Sequence, residues 1–267
     1  IGFKSPNEAV RLYNTFDKLV AVADSVKQTF ENSLRITTPI DVLYNTNETE
    51  KIKNLAEEKI DDADFDCDGI KVCSVAKIVP TKGFDRLLKA HKRLLDEGIK
   101  HTVFLLGIGE EQSKLEAEAK KLGVDSSFRF LGFKENPYKY IKNCDLYVCS
   151  SRREGFSTAV AESLIVGTSV VSTDCSGARE LLGEHNEYGI IVENSEDGIY
   201  TGMKQMLTEP KLLEQYREKA VINSVVKRQS RRLRGCLNHY ENSLSRRRYV
   251  TFWRYGADDS MACKLTL

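Results

Sequence analysis

The chain has 267 residues, 41% hydrophobic and 30% charged, with 40 Lys and Arg against 39 Asp and Glu. These proportions exclude a disordered or collagen-like chain and leave room for one large domain or two small ones. A net charge of +1 lacks the basic excess that nucleic-acid binding draws on, so no nucleic-acid partner is expected.

The chain opens at Ile1 inside an amphipathic segment and reads as a fragment. Residues 1–46 hold a helix-like start, an apolar strand over Leu19–Ala23, a helix beginning near Asp24 and a second apolar run over Ile40–Tyr44. That is too little for a domain of its own, and the sequence predicts the remnant of one. Residues 47–70 are acidic and poor in large apolar side chains, the composition of a linker or surface insertion.

From residue 71 onward, short β-branched or aromatic runs alternate with longer helix-period segments. Strands are predicted at 71–77, 102–107, 128–132, 145–151, 169–174 and 189–193, buried on both faces. Between them, Phe84, Leu87, Leu88, His91, Leu94 and Leu95, then Leu115, Ala119 and Leu122, recur at helical spacing. The fold class is therefore α/β: a doubly wound parallel sheet over 71–225, with its ligand crevice at the carboxyl ends of the strands. Residues 226–267 form a basic tail, with ten basic and three acidic residues from Lys227 on. It reads either as an arm for phosphates or anionic lipid or as a solvated irregular end.

No apolar run approaches the roughly 20 residues that cross a bilayer, and no signal-peptide pattern is present, so a cytoplasmic location is expected. The seven cysteines lack C-x-x-C spacing and read as buried free thiols. The four histidines are scattered, and no structural metal is expected.

The segment Arg152–Glu162 follows the strand DLYVCSS directly, and Ser157 opens a helix whose first amides face the carboxyl edge of the sheet. Such a start carries roughly half a positive charge and attracts phosphate. Glu154 precedes it and Glu162 lies within it; two carboxylates are poor phosphate ligands but good acceptors for sugar and ribose hydroxyls. On spacing alone, two solvent-facing glutamates on an ordinary helix remain an equal alternative. Gly107-Ile108-Gly109 also ends a strand, yet position 112 is Gln, so the third glycine of a dinucleotide fingerprint is missing and an NAD-type oxidoreductase is rejected.

The E-x7-E spacing from Glu154 to Glu162, set in SSRREGFSTAVAESLIVGTSVVSTDCSGARELL, resembles the nucleotide-sugar site of retaining GT-B glycosyltransferases, in particular glycosyltransferase family 4. The likeness continues through SVAKIVPTKGFDRLLKAHKRL, FLLGIGEEQSKLEAEAKKLGV, FRFLGFKENPYKYIKNCDLYVCSS and YGIIVENSEDG. It implies a Rossmann-like donor-binding half of a GT-B fold.

By the same resemblance, Glu154 touches the donor sugar, Glu162 binds the ribose, and Gly155, Phe156, Ser157, Thr158 and Ala159 line the sugar and diphosphate. Lys82 and Gly83 match the family's Lys-Gly motif, whereas Lys77 stands where the family has Arg, giving charge without a planar fork. Phe133 lies beside the nucleobase, and Gly177, with Glu180 three residues on, lets backbone approach the phosphates.

The implied reaction moves a sugar from a nucleoside diphosphate sugar to a glycan or lipid-linked acceptor in surface-polysaccharide assembly. Lys82, Lys77 and the helix start would stabilise the leaving group without a metal or other cofactor, and no Asp-x-Asp pair lies near the site. Such enzymes work at the inner face of the cell membrane, so peripheral membrane contact belongs to the same expectation. The alternative is a nucleotide-sugar-binding module without transfer activity.

Overall fold

The computed structural model describes residues 5–34, 36–44, 47–222 and, as backbone, 249–253 and 262–266. The first stretch gives α1 (Pro6–Tyr13), β1 (Lys18–Ala21), α2 (Asp24–Ser33) and β2 (Ile40–Val42), followed by α3 (Thr49–Ala56) and a single 3-10 turn at Ala63–Phe65. The alternating part runs β3 (Ile70–Val75), α4 (Phe84–Asp96), β4 (His101–Leu106), α5 (Gln112–Leu122), β5 (Phe128–Gly132) and α6 (Tyr138–Lys142). It continues as β6 (Leu146–Cys149), α7 (Thr158–Val166), β7 (Ser169–Thr173), α8 (Ala178–Leu182), β8 (Ile190–Val192), α9 (Glu196–Thr208) and α10 (Pro210–Ile222). Two later strands are β9 (Tyr249–Trp253) and β10 (Ala262–Thr266).

The main sheet has six parallel strands in the order β5-β4-β3-β6-β7-β8. The chain enters at the centre on β3, winds outward to β5, then crosses back to β6 and winds the other way. The doubly wound topology expected from the sequence is therefore present. Its direction reverses between β3 and β6, which pair through Val72–Leu146 and Cys73–Tyr147. At such a switch point the loops leaving the two strands diverge and open a crevice. Here those loops carry Lys77, Lys82 and Gly83 on one side and Glu154–Ser157 on the other.

Period-two alternation sends successive side chains to opposite faces. Val72, Val103, Leu105, Leu146, Val148 and Val171 pack on one side with Leu87, Leu88 and Met203. Cys73, Phe104, Leu106, Tyr147, Cys149 and Val170 pack on the other. This second core is continuous with Tyr13, Leu19 and Phe30 of the N-terminal stretch, so both parts share one apolar layer.

The 47–70 stretch, expected as a linker, is packed rather than merely spacing. α3 lies against α6 and α7, with Ile52 and Ala56 buried, and the ring of Phe65 sits 4.7 Å from that of Phe104. Its polarity belongs to the solvent side, and few apolar positions suffice to anchor a helix of this length. The smaller sheet runs β10-β9-β1-β2, with β9 parallel to β1, so part of the basic tail pairs with the N-terminal stretch. The rest of that tail, including RQSRRLRG and SLSRRR, lies outside the described residues. Among the described residues no helix is long and apolar enough to cross a membrane. Cys67, Cys73, Cys144, Cys149 and Cys175 are free thiols.

Candidate functional site

Gly83 ends the short turn Pro80–Lys82 with φ +66° and opens α4. A Cβ there would lie 2.2 Å from the Ser150 carbonyl oxygen, so only glycine lets the two switch-point loops touch. Several hydrogen bonds fasten the contact: Ser150 Oγ donates to the Lys82 carbonyl at 2.8 Å, the Arg152 amide to the Thr81 carbonyl at 2.8 Å, and Arg86 Nη2 to the Ser150 carbonyl at 2.7 Å. Arg152 adds a two-point pair with Asp85 at 2.8 and 2.7 Å. Burial pulls the Arg86 guanidinium below its ordinary value.

Across this seam Lys82 Nζ reaches Glu154 Oε1 at 2.7 Å, and Ser151 Oγ donates to the same oxygen at 2.6 Å. Both partners are partly buried, with side chains 21% and 13% exposed. The structure thus brings together two residues that the sequence could only assign separately. Lys77, at the end of β3, is exposed, and among the described residues it forms no ion pair. Glu154 has Lys82 as its cation, not Lys77.

After Glu154 the chain turns into α7. Ser157 is the N-cap, its hydroxyl accepting from the Val160 amide at 3.4 Å, which caps the helix without filling its mouth. Gly155 and Phe156 are buried, yet the amides of Gly155, Phe156, Thr158 and Ala159 have no hydrogen-bond partner among the described residues. Unpaired amides at a helix start are donors awaiting an acceptor.

Glu162 lies one turn further along α7, on a cleft of about 930 Å³ that it lines with Thr158, Tyr138, Lys134, Asn136 and Glu48. Burial raises its carboxyl to about 7, against a hydrogen bond from Tyr138 that pulls the other way. Tyr138 is raised in turn, by burial first and then by Glu162. The cleft's outer wall is α3, to which Asn136 Nδ2 donates at the Leu55 carbonyl (2.8 Å) and Glu58 (2.9 Å). Lys134 is held by Asp62 at 2.7 Å, and Tyr140 donates to the same carboxylate at 2.9 Å. Phe133, beside this loop, is 72% exposed and so is no core aromatic.

The Gly177 turn departs from expectation. Its amide donates to Ser25 Oγ at 3.0 Å and is not open to a phosphate. A Cβ at Gly177 (φ +79°) would lie 3.1 Å from the Gly155 carbonyl oxygen and 3.2 Å from the Phe156 ring, so this glycine serves the packing of one turn on another. Ser151, Tyr138, Asn136 and Ser25 were not singled out from the sequence. Ser151 alone had a local signal, a hydroxyl at the carboxyl end of a predicted strand.

The arrangement can hold an anion at the amides, neutralise it with Lys82, and accept hydroxyls at Glu154 and Glu162. Among the described residues no three His, Cys, Asp or Glu side chains come together as metal ligands.

Comparison with known proteins identifies the family and the fold. The profile of the family "Glycosyl transferases group 1" matches residues 56–221. The Campylobacter jejuni N-acetylgalactosamine-N,N'-diacetylbacillosaminyl-diphospho-undecaprenol 4-alpha-N-acetylgalactosaminyltransferase is 36% identical over 182 residues, 67% of this chain and 47% of its own. The Rhizobium meliloti lipopolysaccharide core biosynthesis glycosyltransferase LpsE is 30% identical over 174 residues, 65% of this chain and 49% of its own. The chain spans about half the length of the curated relatives it matches. Among solved structures, Anabaena Alr3699/HepE in complex with UDP is similar with a TM-score of 0.71 at 21% identity, over 88% of this chain and 67% of that one. WaaG, a glycosyltransferase involved in lipopolysaccharide biosynthesis, gives 0.65 at 19% identity, over 80% and 63%. The α/β fold, with its six-strand parallel sheet, is one shared with GT-B glycosyltransferases.

Proposed function

The chain belongs to the group 1 glycosyl transferases, and from that premise we propose that it is the donor-binding half of a retaining, metal-independent glycosyltransferase. Its donor is a nucleoside diphosphate sugar and its acceptor a glycan or lipid-linked sugar in surface-polysaccharide synthesis. The observation that carries this reading is the set of unpaired amides from Gly155 to Ala159, preceded in the chain by Glu154 with its partner Lys82 and followed by Glu162, which with Thr158 lines the cleft. The UDP in the HepE structure and the diphospho-undecaprenol acceptor in the name of the Campylobacter relative support the ligand classes.

In this reading the diphosphate accepts from the amides of Gly155, Phe156, Thr158 and Ala159, and the ribose hydroxyls donate to Glu162. Lys82 exchanges its contact with Glu154 for the phosphates, with Lys77 adding long-range charge. As the sugar–oxygen bond breaks, negative charge grows on the diphosphate. Donors already fixed in place stabilise that charge without reorganising. Glu154, released from Lys82, accepts from hydroxyls of the donor sugar and is not assigned as a nucleophile. The leaving phosphate itself assists the incoming hydroxyl on the same face, which retains configuration.

A second reading, a nucleotide-sugar-binding module without transfer, is favoured by the chain spanning about half the length of its curated relatives. Titrating UDP, GDP, UDP-sugars and NAD while following thermal unfolding tests both, because a ligand bound only by the folded state raises the midpoint. Stabilisation by a nucleoside diphosphate or its sugar is expected; a response to NAD alone would overturn both. Adding the remaining N-terminal part of such an enzyme and assaying sugar transfer separates enzyme from module.

A further inference from the structure

The helix α2 has no cap of its own. Its N-cap position is Ala23, whose side chain can accept nothing. The acceptor comes from far along the chain: Glu180, on α8, takes the Asp24 amide at 3.1 Å, the Ser25 amide at 3.1 Å and the Ser25 hydroxyl at 2.8 Å. Ser25 Oγ in turn accepts from the Gly177 amide at 3.0 Å. A carboxylate at a helix start is favoured both by the free amides and by the helix dipole.

Both partners sit at carboxyl edges. α2 follows the end of β1 in the small sheet, and Gly177 and Glu180 follow the end of β7 in the large one. The contact therefore spans the two sheets where their carboxyl ends meet. Next to it, Tyr44 donates to Asp24 at 2.8 Å and lays its ring 5.6 Å from that of Phe156. The Gly177 backbone packs tightly on Gly155 and Phe156, where an added Cβ would push the neighbours by a few tenths of an ångström.

We infer that Ser25 and Glu180 are positioning residues that join the N-terminal stretch to the nucleotide site, holding the Gly177 turn so that it backs the Gly155–Phe156 amides in their open, ligand-ready arrangement. This rests on the nucleotide reading of those amides, but its core, the mechanical link, stands apart from any ligand. Neither residue touches the donor; each acts through Gly177. The orientation of the N-terminal stretch is thereby coupled to donor affinity.

The test compares wild type with Ser25→Ala, Glu180→Gln and the rescue variant Ser25→Thr, which keeps the hydroxyl. Amide NMR shifts are recorded without ligand, UDP affinity is measured by calorimetry, and thermal unfolding checks that each variant is folded. The link predicts that Ser25→Ala and Glu180→Gln move the Gly155 and Phe156 amide resonances, not only their own neighbours, and weaken UDP binding about threefold or more. Ser25→Thr should restore both. Shift changes confined to residues 23–29 and 175–181, or unchanged UDP affinity in variants whose Gly155 amide has moved, would overturn the coupling. If wild type binds no UDP while the shifts still propagate, the link stands and the nucleotide reading fails.

Discussion

Lys82 Nζ lies 2.7 Å from Glu154 Oε1, so the two loops that leave the sheet at its switch point are tied together by an ion pair. In the proposed reading an incoming diphosphate draws Lys82 from that partner, and Glu154 is then free to accept from sugar hydroxyls. Lys82→Met leaves Glu154 partly buried with Ser151 as its remaining partner. Its stability should fall by about 1–3 kcal/mol and its UDP affinity by about tenfold or more. The double variant Lys82→Met with Glu154→Gln should regain most of the stability and none of the affinity, read by urea unfolding and calorimetry. A Lys82→Met protein that binds UDP as wild type does would remove Lys82 from the site.

Glu162 gives a pH signature. Burial raises its carboxyl from 4.5 to about 7 in the folded chain. The neutral acid is the form the fold favours, so its stabilising contribution is complete below pH 4.5 and lost as pH rises through about 7. Glu162→Gln should therefore gain stability relative to wild type between pH 5 and pH 8, by at most about 3 kcal/mol. Ribose hydroxyls need the ionised acceptor, so wild-type UDP affinity should climb across the same range more steeply than that of the variant. Parallel affinity profiles would contradict the ribose role.

A second titrating pair acts in the opposite sense. His101 Nδ1 faces the Ile99 carbonyl at 2.9 Å and must donate; its Nε2 then accepts from His91 Nδ1 at 2.8 Å, and His91 Nε2 accepts from Ser127 at 2.9 Å. A further proton on His101 Nε2 would set N–H against N–H, whereas one on His91 Nε2 would turn Ser127 Oγ into an acceptor that donates only to the Val124 carbonyl. Burial, with His101 adding to it, lowers His91 to about 3, and burial lowers His101. Their contribution is present above the unfolded value of 6.5 and is lost as pH falls toward 3. His91→Gln should cost about 1–2 kcal/mol at pH 7.5 and flatten the loss of stability between pH 6.5 and 4.5. Urea unfolding at several pH values measures it; an equally steep acid limb in the variant would contradict the assignment.

Gly83→Ala probes the seam itself. A methyl group would meet the Ser150 carbonyl at 2.2 Å from a residue at φ +66°. The backbone has to move, at about 2 kcal/mol or more, and Lys82 moves with it. Thermal unfolding and UDP calorimetry should both register the change, and a variant equal to wild type in both would mean the loops tolerate separation.

The central sheet was legible because its strands are buried on both faces and bounded by clear turns; the predicted 145–151 strand runs only Leu146–Cys149 because Ser150 and Ser151 leave the ladder to bind Lys82 and Glu154. The motif positions were legible by resemblance, and the switch-point topology brings Lys82 to Glu154. What escaped was whatever depends on partners far along the chain. Ser25 reads as an ordinary residue of a helix start, and nothing near it announces Glu180. α3 escaped because polar and charged residues outnumber its few apolar anchors, Ile52 and Ala56. Phe133, 72% exposed, sits in a loop where neither helical nor strand period says which way a ring faces.

The most direct measurement follows the backbone amides by NMR while UDP is added. If the site is the one described, the resonances of Gly155, Phe156, Thr158 and Ala159 shift first and furthest, and saturate together with those of Glu162 and Tyr138. Saturating binding that leaves those four amides where they were would contradict the account.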